Sequence, residues 1–202
     1  MQLYYSPGAC SLASHIALQE SGLPYQTLRV NLRDKKVSDG SDYFAINAKG
    51  YVPALKLDSG EVLTEGSALL AYIGELQPTR QLIPPSGTID NYRVREWLAF
   101  VGTELHKNAG PLFNPQITDA ARAAQTEALK RRLRYANDSL ANRQFLVGEH
   151  FSVADAYLFT VLSWSPRLRI DLGEFPNLQS FYERIKARPA VQTVLKAEAA
   201  PS

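Results

Sequence analysis

The first eighty residues alternate between short apolar runs and longer segments with apolar positions at helical spacing. This pattern is typical of strands interleaved with helices rather than of one repeated element. It predicts a strand over residues 3–5 and a turn over residues 6–8. A helix follows from Cys10 to about residue 21, where Gly22 ends it. A second strand is predicted over residues 26–30.

A hairpin and a further helix complete this first half. Two largely apolar segments, residues 54–57 and 61–63, flank the turn over residues 58–60, which is typical of two antiparallel strands. Glu65 then opens a helix that runs to about residue 76. The order βαβ followed by ββα predicts a small thioredoxin-like domain over residues 1–80.

The second half of the chain is almost wholly helical in its pattern. Apolar residues at helical spacing predict long helices around residues 97–105, 118–140 and 153–168. Pro176 and Pro189 stand where each would begin a further helix, since proline is tolerated in the first turn. This half therefore predicts a helical bundle.

Between the two halves, residues 77–87 show no usable periodicity, and their three prolines disfavour both a helix and a central strand. We predict a linker over residues 81–87 and an all-helical domain over residues 88–202. The predicted fold class is therefore α/β plus all-α, with a thioredoxin-like domain followed by a helical bundle.

The composition narrows the function classes. Of the 202 residues, 45% are hydrophobic and 21% are charged, as in an ordinary folded protein. The formal charge of +2 is spread along the chain, which argues against a dedicated nucleic-acid binder. No apolar stretch approaches the length of a membrane span, and no leader-like segment precedes the first strand. We expect a cytoplasmic protein with no nucleic-acid partner, no membrane partner and no metal site.

Cys10 is the single cysteine of the chain, so it cannot form an intrachain disulfide. It stands just before a predicted helix, where unpaired backbone N–H groups and the positive helix end favour a thiolate. A two-cysteine redox motif would place its second thiol at Ala13. Any disulfide of Cys10 must therefore join it to another molecule. The alternative, a buried and inert thiol, is the usual state of a lone cysteine.

Two further segments of the first half could bind a ligand. Val52 and Pro53 come directly before the hairpin, where a cis bond would leave the backbone of Val52 free to pair with an extended peptide. An ordinary trans proline is the commoner state. Glu65, Gly66 and Ser67 offer a carboxylate, a helix N-terminus and a hydroxyl, which suit a ligand with an ammonium and a carboxylate. A routine helix cap explains the same residues.

One face of the first long helix in the second half carries small and polar side chains instead of large apolar ones. Ala99, Thr103 and His106 stand at i, i+4 and i+7, so they share a face that could line a cleft. His106, with Lys107 beside it, supplies hydrogen-bond donors and a candidate proton acceptor. An imidazole near Cys10 would further favour its thiolate. A structural or surface histidine is the alternative.

A capping pattern precedes the helix predicted from residue 153. Ser152 can accept a hydrogen bond from the backbone of the first turn, and the acidic Asp155 suits the positive helix end. We interpret this pattern as structural.

Several segments of the chain together resemble a known family. They are Tyr4-Tyr5-Ser6-Pro7-Gly8-Ala9-Cys10-Ser11-Leu12, Gly50-Tyr51-Val52-Pro53, Leu63-Thr64-Glu65-Gly66, Glu104-Leu105-His106-Lys107, Pro111-Leu112-Phe113 and Ser152-Val153-Ala154-Asp155-Ala156-Tyr157-Leu158-Phe159. Each is weak alone, but together they are highly specific and cover essentially the whole chain. The sequence is similar to the beta-class bacterial glutathione S-transferases.

The resemblance implies a thioredoxin-like domain that binds glutathione as co-substrate, an all-helical domain that holds a small hydrophobic electrophile, and a homodimer. It implies that Cys10 contacts or disulfide-bonds the glutathione sulfur, that Pro53 is cis, and that Cys10 and His106 are catalytic. The residues implied to contact glutathione are Ala9, Cys10, Lys35, Val52, Pro53, Glu65, Gly66, Thr103, Glu104, His106 and Lys107. Close relatives often carry an asparagine where this chain has Ala99, so we expect one polar contact fewer there.

The leading hypothesis is a glutathione transferase that conjugates the glutathione thiolate to hydrophobic electrophiles, in detoxification and stress response. A second is a glutathione-dependent disulfide reductase or reductive dehalogenase, in which Cys10 forms a mixed disulfide that another glutathione resolves. A third is a non-catalytic regulatory protein of the same fold. The joint presence of Cys10, Pro53, Glu65 and His106 argues against the third.

Overall fold

The computed structural model describes residues 1–200 and contains one mixed β-sheet in the first half of the chain. Its strands are β1 (Gln2–Tyr5), β2 (Gln26–Asn31), β3 (Lys36–Val37), β4 (Ala54–Lys56) and β5 (Val62–Thr64). They lie in the order β3-β2-β1-β4-β5. β1 pairs in parallel with β2, and helix α1 (Ser11–Ser21) makes the crossover between them. The other neighbouring pairs are antiparallel.

The strands predicted over residues 3–5, 26–30, 54–57 and 61–63 are confirmed to within about two residues at each end. β3 is the strand that the pattern did not predict. It consists of two residues in a polar loop, a run too short for any alternation to be visible. The helix predicted from Cys10 begins one residue later, at Ser11.

The first half ends with one more helix after the sheet, α2 (Gly66–Leu76), and the second half is built from helices. They are α3 (Ile89–Phe100), α4 (Lys107–Ala109), α5 (Asp119–Ser139), α6 (Val153–Leu162), α7 (Ser165–Leu168), α8 (Pro176–Lys186) and α9 (Pro189–Ala199). α3 continues through a π-helical turn over Val101–His106 into α4. α8 and α9 begin at Pro176 and Pro189, as predicted. The predicted fold class is confirmed.

α6 lies at the centre of the helical half, and all ten of its residues are buried. A helix that is apolar on every side belongs in the interior. The helix predicted over residues 153–168 is wrong at its C-terminal end, because α6 stops at Leu162 and α7 begins at Ser165. Pro166 accounts for the break, since proline has no N–H and its ring clashes with the carbonyl four residues earlier. The Leu162 carbonyl instead accepts a hydrogen bond from the Ser165 hydroxyl at 2.7 Å.

α1 joins the two halves into one core. It packs against α2 in its own half and against α6 and α9 in the helical half, and Ile16 and Leu18 are fully buried. The predicted linker over residues 81–87 is also fixed, because the Leu82 carbonyl accepts a hydrogen bond from the Val153 N–H at 2.9 Å. One apolar core covers both halves, so the domain division at residues 81–87 stays a prediction.

The predicted cap of α6 is present and fully formed. The Asp155 carboxylate accepts hydrogen bonds from the N–H of Leu146 at 2.9 Å and from the N–H of Ser152 at 2.8 Å. It also accepts one from the Ser152 hydroxyl at 2.7 Å. Asp155 is completely buried, and burial raises its pKa to about 6 although these donors act in the opposite direction. The carboxylate thus ties the start of the central helix to the segment before it.

Replacing Asp155 by alanine should lower the free energy of unfolding by roughly 2–4 kcal/mol, because it removes a cap and leaves buried N–H groups unpaired. Urea denaturation followed by circular dichroism measures this loss. Asp119→Ala is the matched control, since Asp119 stands in the first turn of α5 but is exposed. Its loss should be roughly 0.3–1 kcal/mol. Equal losses in the two variants would contradict the assigned role of Asp155.

Candidate functional site

The loop that carries Cys10 joins β1 to α1. Gly8 in this loop has a φ of +66°, in the left-handed region that glycine adopts without steric cost. Ser11 closes the loop, since its hydroxyl accepts from the Ser6 N–H at 3.1 Å and donates to the Ser6 carbonyl at 3.2 Å. Cys10 therefore occupies the N-cap position of α1.

The helical half fixes this loop by hydrogen bonds to both backbone groups of Gly8. The Gly8 N–H donates to the Glu198 carboxylate at 2.9 Å, and the indole N–H of Trp164 donates to the Gly8 carbonyl at 2.9 Å. Glu198 is buried, and its other carboxylate oxygen lies 2.9 Å from Nδ1 of the buried His15 in α1. The position of Cys10 thus depends on α9 and on the segment between α6 and α7.

Cys10 faces the segment before β4. The Val52–Pro53 peptide bond is cis, and the Cys10 thiol donates to the Val52 carbonyl with an Sγ–O distance of 3.0 Å. The carbonyl of Tyr51 accepts hydrogen bonds from the Tyr43 hydroxyl at 2.8 Å and from the Asn47 amide at 2.7 Å. Within the described residues the Val52 N–H has no hydrogen-bond partner. A backbone donor beside the thiol is therefore free for a ligand.

Glu65 occupies the N-cap position of α2 with a φ of +72°. This conformation costs a non-glycine residue on the order of 1–3 kcal/mol, and such residues cluster at functional sites. The Glu65 carboxylate forms an ion pair with the Lys49 ammonium, and both side chains are exposed. The first N–H groups of α2 have no acceptor within the helix. The segment thus offers an exposed carboxylate beside backbone donors.

The helical half supplies the opposite wall through α3, the π-helical turn and α6. Nδ1 of His106 lies 2.8 Å from the hydroxyl oxygen of Tyr157. The rings of Trp164 and His106 meet edge to face, with their centroids 4.9 Å apart. The Thr103 hydroxyl donates to the Ala99 carbonyl at 3.0 Å. The predicted stripe of Ala99, Thr103 and His106 therefore faces the cysteine loop across a gap.

This gap is a cavity of about 590 Å³ between the two halves, a volume typical of small-molecule sites. Its lining residues are Ala9, Cys10, Leu32, Lys35, Asn47, Lys49, Tyr51, Val52, Pro53, Thr64, Glu65, Gly66, Ser67, Leu70, Ala99, Gly102, Thr103, His106 and Tyr157. A larger groove of about 1110 Å³ lies between α3, α5 and residues 141–149, and it contains none of the predicted site residues. The smaller cavity is therefore the candidate site.

Glu104 and Lys107 are the two predicted site residues that the structure does not bring to this cavity. The Glu104 carboxylate instead accepts from Nε of Arg132 in α5 at 2.6 Å. Successive residues of a helical turn point in different directions, so a residue next to Thr103 faces another side of the π-helical turn. Lys107, which follows His106, is exposed outside the cavity for the same reason. Neither residue lines the cavity of the single chain, and a contact of Glu104 or Lys107 with glutathione stays a prediction.

Some cavity residues were absent from the predicted site. Tyr157 stands two residues after Asp155, and its approach to His106 depends on a contact between residues 51 positions apart, which no local pattern encodes. Lys49 and Tyr51 directly precede the Val52–Pro53 pair. Their proximity to that pair in the sequence is a signal that could have found them, and Tyr51 also stands in one of the segments that resemble the family.

The expected activation of the Cys10 thiol is wrong for this structure. Burial raises the pKa of Cys10 to about 11, and the nearby Glu65 carboxylate raises it further, whereas the backbone N–H groups of Cys10 and Ser11 lower it by less. A protonated thiol also fits the hydrogen bond that Sγ donates to Val52. The start of α1 therefore lowers the pKa of the Cys10 thiol by less than burial raises it.

His106 carries no positive charge that would favour a thiolate at Cys10. Burial lowers the pKa of His106 below its usual value, so the ring is neutral at neutral pH. Burial also raises the pKa of Tyr157, and nearby Cys10 and Glu65 raise it further. The cavity is therefore bordered by neutral hydrogen-bonding groups around the sulfur and by the Lys49–Glu65 pair.

Comparison with known protein families identifies the family of this chain. Residues 8–76 match the family model of the glutathione S-transferase N-terminal domain, and residues 100–189 match that of the glutathione S-transferase C-terminal domain. The chain belongs to the glutathione S-transferase family. It is 44% identical over 198 residues to the glutathione S-transferase GstA of Escherichia coli O157:H7, with 98% of each chain covered.

Solved glutathione S-transferase structures share the whole fold. A sphingomonad enzyme complexed with glutathione matches with a TM-score of 0.96 and 44% identity over 100% of both chains. A beta-class enzyme of Sphingomonas chungbukensis matches with a TM-score of 0.95 and 45% identity, covering 98% of this chain and 99% of the other. The predicted resemblance to the beta class of glutathione S-transferases is confirmed.

No group of three or more His, Cys, Asp and Glu side chains within residues 1–200 is arranged to hold a metal ion. None of the helices in this part of the glutathione S-transferase is long and apolar enough to cross a membrane.

In the ligand-free protein, Cys10 should react slowly with iodoacetamide at neutral pH, and the rate should rise with pH towards about 11. The reason is that the thiolate is the nucleophile and burial disfavours it. Intact mass spectrometry reports the reaction without ambiguity, since the chain has a single cysteine. An unstructured cysteine peptide, with a thiol pKa of about 8.5, is the reference. A midpoint at or below that of the peptide would contradict the raised pKa.

Proposed function

We propose that this glutathione S-transferase conjugates glutathione to small hydrophobic electrophiles in the cleft between its two halves. The observation that carries the proposal is that Cys10, the cis Val52–Pro53 bond, Glu65 and His106 all border one cavity. Glutathione is a peptide with a thiol, an ammonium group and two carboxylates. The cavity offers a partner for each of these groups.

The peptide backbone of glutathione pairs with Val52. An extended ligand strand can use main-chain hydrogen bonds for affinity, and the Val52 N–H beside the cavity is free to donate one. The Lys35 ammonium, which donates to the Gly50 carbonyl at 2.8 Å, lies at the same wall and suits a ligand carboxylate. The glutathione sulfur then lies next to Cys10.

The γ-glutamyl end of glutathione binds at the start of α2. Its ammonium group takes the place of the Lys49 ammonium on the Glu65 carboxylate, and its carboxylate accepts from the unpaired N–H groups of the first turn. The Lys49–Glu65 pair is exposed, so breaking it costs little. The free protein thus keeps the ammonium site filled by its own lysine until the substrate arrives.

In the reaction the glutathione thiol loses its proton to solvent, and the sulfur lone pair forms a bond to the electrophilic carbon. The leaving group departs with the electrons of the broken bond. The protein accelerates the step by stabilising the thiolate and by holding the two substrates together. Burial raises the pKa of Cys10 to about 11, so the protonated thiol is not the nucleophile. Its S–H, which donates to the Val52 carbonyl in the free protein, turns to donate to the glutathione thiolate when glutathione binds.

The electrophile lies against the aromatic side chains of the helical half. Trp164 touches the His106 ring on one side and packs edge to face on Phe113 on another, with centroids 5.6 Å apart. Phe113 is partly exposed, and Tyr157 lines the cavity itself. These rings favour flat apolar substrates without selecting one of them.

A second function, thiol exchange, is favoured by the position of Cys10 on the cavity wall. The Cys10 thiolate would attack a mixed disulfide between glutathione and another thiol, release that other thiol as a thiolate and keep the glutathionyl group as a disulfide, and a second glutathione would then regenerate Cys10 and leave as glutathione disulfide. Reductive dehalogenation would use the same resolving step. Both need a thiolate, which the raised pKa of Cys10 disfavours. No observation favours a non-catalytic regulatory role.

We also propose that the enzyme is a cytoplasmic homodimer that acts in detoxification and stress response. Tyr135 is exposed, and its ring packs on Trp97 and Phe100, so α3 and α5 carry an aromatic cluster at the surface. A contiguous exposed apolar patch is typical of a protein–protein contact. A single cysteine without a disulfide partner is consistent with a reducing compartment.

Substitutions of Cys10 distinguish conjugation from thiol exchange. Cys10→Ala should abolish glutathione-dependent reduction of a mixed disulfide between glutathione and another thiol, because it removes the attacking thiol, and it should lower conjugation of an aryl halide by roughly tenfold, because one donor is lost. Cys10→Ser keeps a donor and should retain more conjugation than the alanine variant while remaining inactive in exchange. Conjugation that is abolished equally in both variants would show that the cysteine is itself required as a sulfur.

Changing Glu65 tests the binding site for the ammonium group. Glu65→Gln should raise the KM for glutathione by roughly tenfold, because a charge-assisted hydrogen bond is lost at an exposed position. Steady-state conjugation kinetics at varied glutathione concentration measure it. Glu61→Gln is the matched control, since Glu61 is an exposed carboxylate on the nearby hairpin outside the cavity. Equal KM values for the two variants would overturn the assigned role.

A further inference from the structure

His106 is held between two aromatic side chains of the helical half. The Tyr157 ring lies edge to face with the imidazole at a centroid distance of 6.0 Å, and its hydroxyl oxygen is 2.8 Å from Nδ1. The Trp164 ring packs at 4.9 Å with an interplanar angle of 63°. Trp164 is itself fixed by its hydrogen bond to Gly8. The imidazole therefore has a defined orientation relative to the cysteine loop.

The Tyr157 hydroxyl has one hydrogen-bond partner among residues 1–200, and that partner is His106. The space around the hydroxyl is kept open by glycine, because a Cβ on Gly102 would lie 3.5 Å from the oxygen and one on Gly66 would lie 4.0 Å from it. No other side chain competes for the phenolic proton. The pair Tyr157–His106 is thus an isolated unit on the cavity wall.

The chemistry of the pair decides which atom carries the proton. A neutral imidazole has one N–H and one nitrogen lone pair, whereas a phenol can donate or accept. The phenol is the stronger acid and the imidazole nitrogen the stronger base, so the favoured hydrogen bond runs from the Tyr157 hydroxyl to Nδ1. Burial keeps both groups neutral, since it raises the pKa of Tyr157 and lowers that of His106. The ring proton is then on Nε2.

Nε2 is the ring atom available to a ligand. It makes no hydrogen bond to the described part of the chain, whose single fully buried side-chain polar atom without a partner is Ser14 Oγ. Nε2 is therefore open to solvent, and His106 lines the cavity. A substrate in the cavity meets an N–H group there.

We propose that Tyr157 is a positioning residue that holds His106 in the Nε2–H tautomer, so that the imidazole donates a hydrogen bond to the glutathione thiolate. This inference rests on the proposed conjugation function and assigns His106 a role as donor instead of proton acceptor. The proton of the glutathione thiol leaves to solvent, and the imidazole stays neutral throughout. Donors set in place before the reaction are an effective way to stabilise developing or resident negative charge.

The tautomer is measured directly by two-dimensional ¹⁵N–¹H NMR of the imidazole rings in the ligand-free protein. The chain has three histidines, and His106→Gln identifies the signals of His106. We expect a protonated Nε2 in the wild type and a mixture of both tautomers in Tyr157→Phe. Tyr182→Phe is the matched control, since Tyr182 stacks on Phe159 away from the cavity and should leave His106 unchanged. A protonated Nδ1 in the wild type overturns the proposal.

Kinetics test the consequence for the reaction. Tyr157→Phe should lower kcat for aryl halide conjugation by roughly tenfold and change the KM for glutathione by less than about twofold. His106→Gln places an amide N–H near the position of Nε2 and should retain several-fold more kcat than His106→Ala. If the glutamine variant is as inactive as the alanine variant, His106 acts as a base and the proposal fails. Unchanged kcat in Tyr157→Phe also overturns it.

Retention on immobilised glutathione separates this proposal from the proposed function. A wild-type protein that neither binds glutathione nor conjugates it refutes the proposed function, whatever the tautomer. A wild type that does both, with kinetics unaffected by Tyr157→Phe, refutes the positioning role alone. A thermal melt of Tyr157→Phe establishes that the variant is folded, and the His106→Gln comparison tests the donor role independently of it.

Discussion

The geometry of the site depends on the pair of hydrogen bonds that hold Gly8 from the helical half. The Glu198 carboxylate takes its N–H and the Trp164 indole binds its carbonyl, so the loop before Cys10 is fixed by residues far along the chain. His15 extends this connection into α1, which packs between the sheet domain and α6 and α9. The thiol, the cis proline segment and the imidazole therefore keep their relative positions only when both halves are folded together.

Burial of Cys10 and His106 determines which reactions the site can support. The same packing that fixes Cys10 removes its sulfur from water, and this outweighs the backbone N–H groups at the start of α1. His106 is neutral for the same reason. The cavity therefore acts on a substrate mainly through hydrogen-bond donors, and the one carboxylate placed for a cation, Glu65, lies at its exposed edge. A site of this kind suits a thiolate supplied by the substrate better than one generated on the protein.

Much of the fold and of the candidate site could be predicted from the sequence, because each of these features depends on residues that are close together in the chain. Gly8 and Cys10 mark a strand–loop–helix, the stripe of Thr103 and His106 follows helical spacing, and Pro176 begins a helix as expected. Features that depend on contacts between distant segments could not be predicted. The raised pKa of Cys10 requires knowledge of what covers it, and the partnership of His106 with Tyr157 requires the packing of two helices. The orientation of Glu104 towards Arg132 is of the same kind.

Binding of glutathione in the cleft between the two halves, with its sulfur beside Cys10, can be seen in a crystal structure of the complex. We expect the peptide backbone to pair with Val52, the γ-glutamyl ammonium to bind Glu65 in place of Lys49, and the sulfur to lie within hydrogen-bonding distance of Cys10. Glutathione bound elsewhere, or bound in this cleft with its sulfur away from Cys10, would show that the proposed site is wrong.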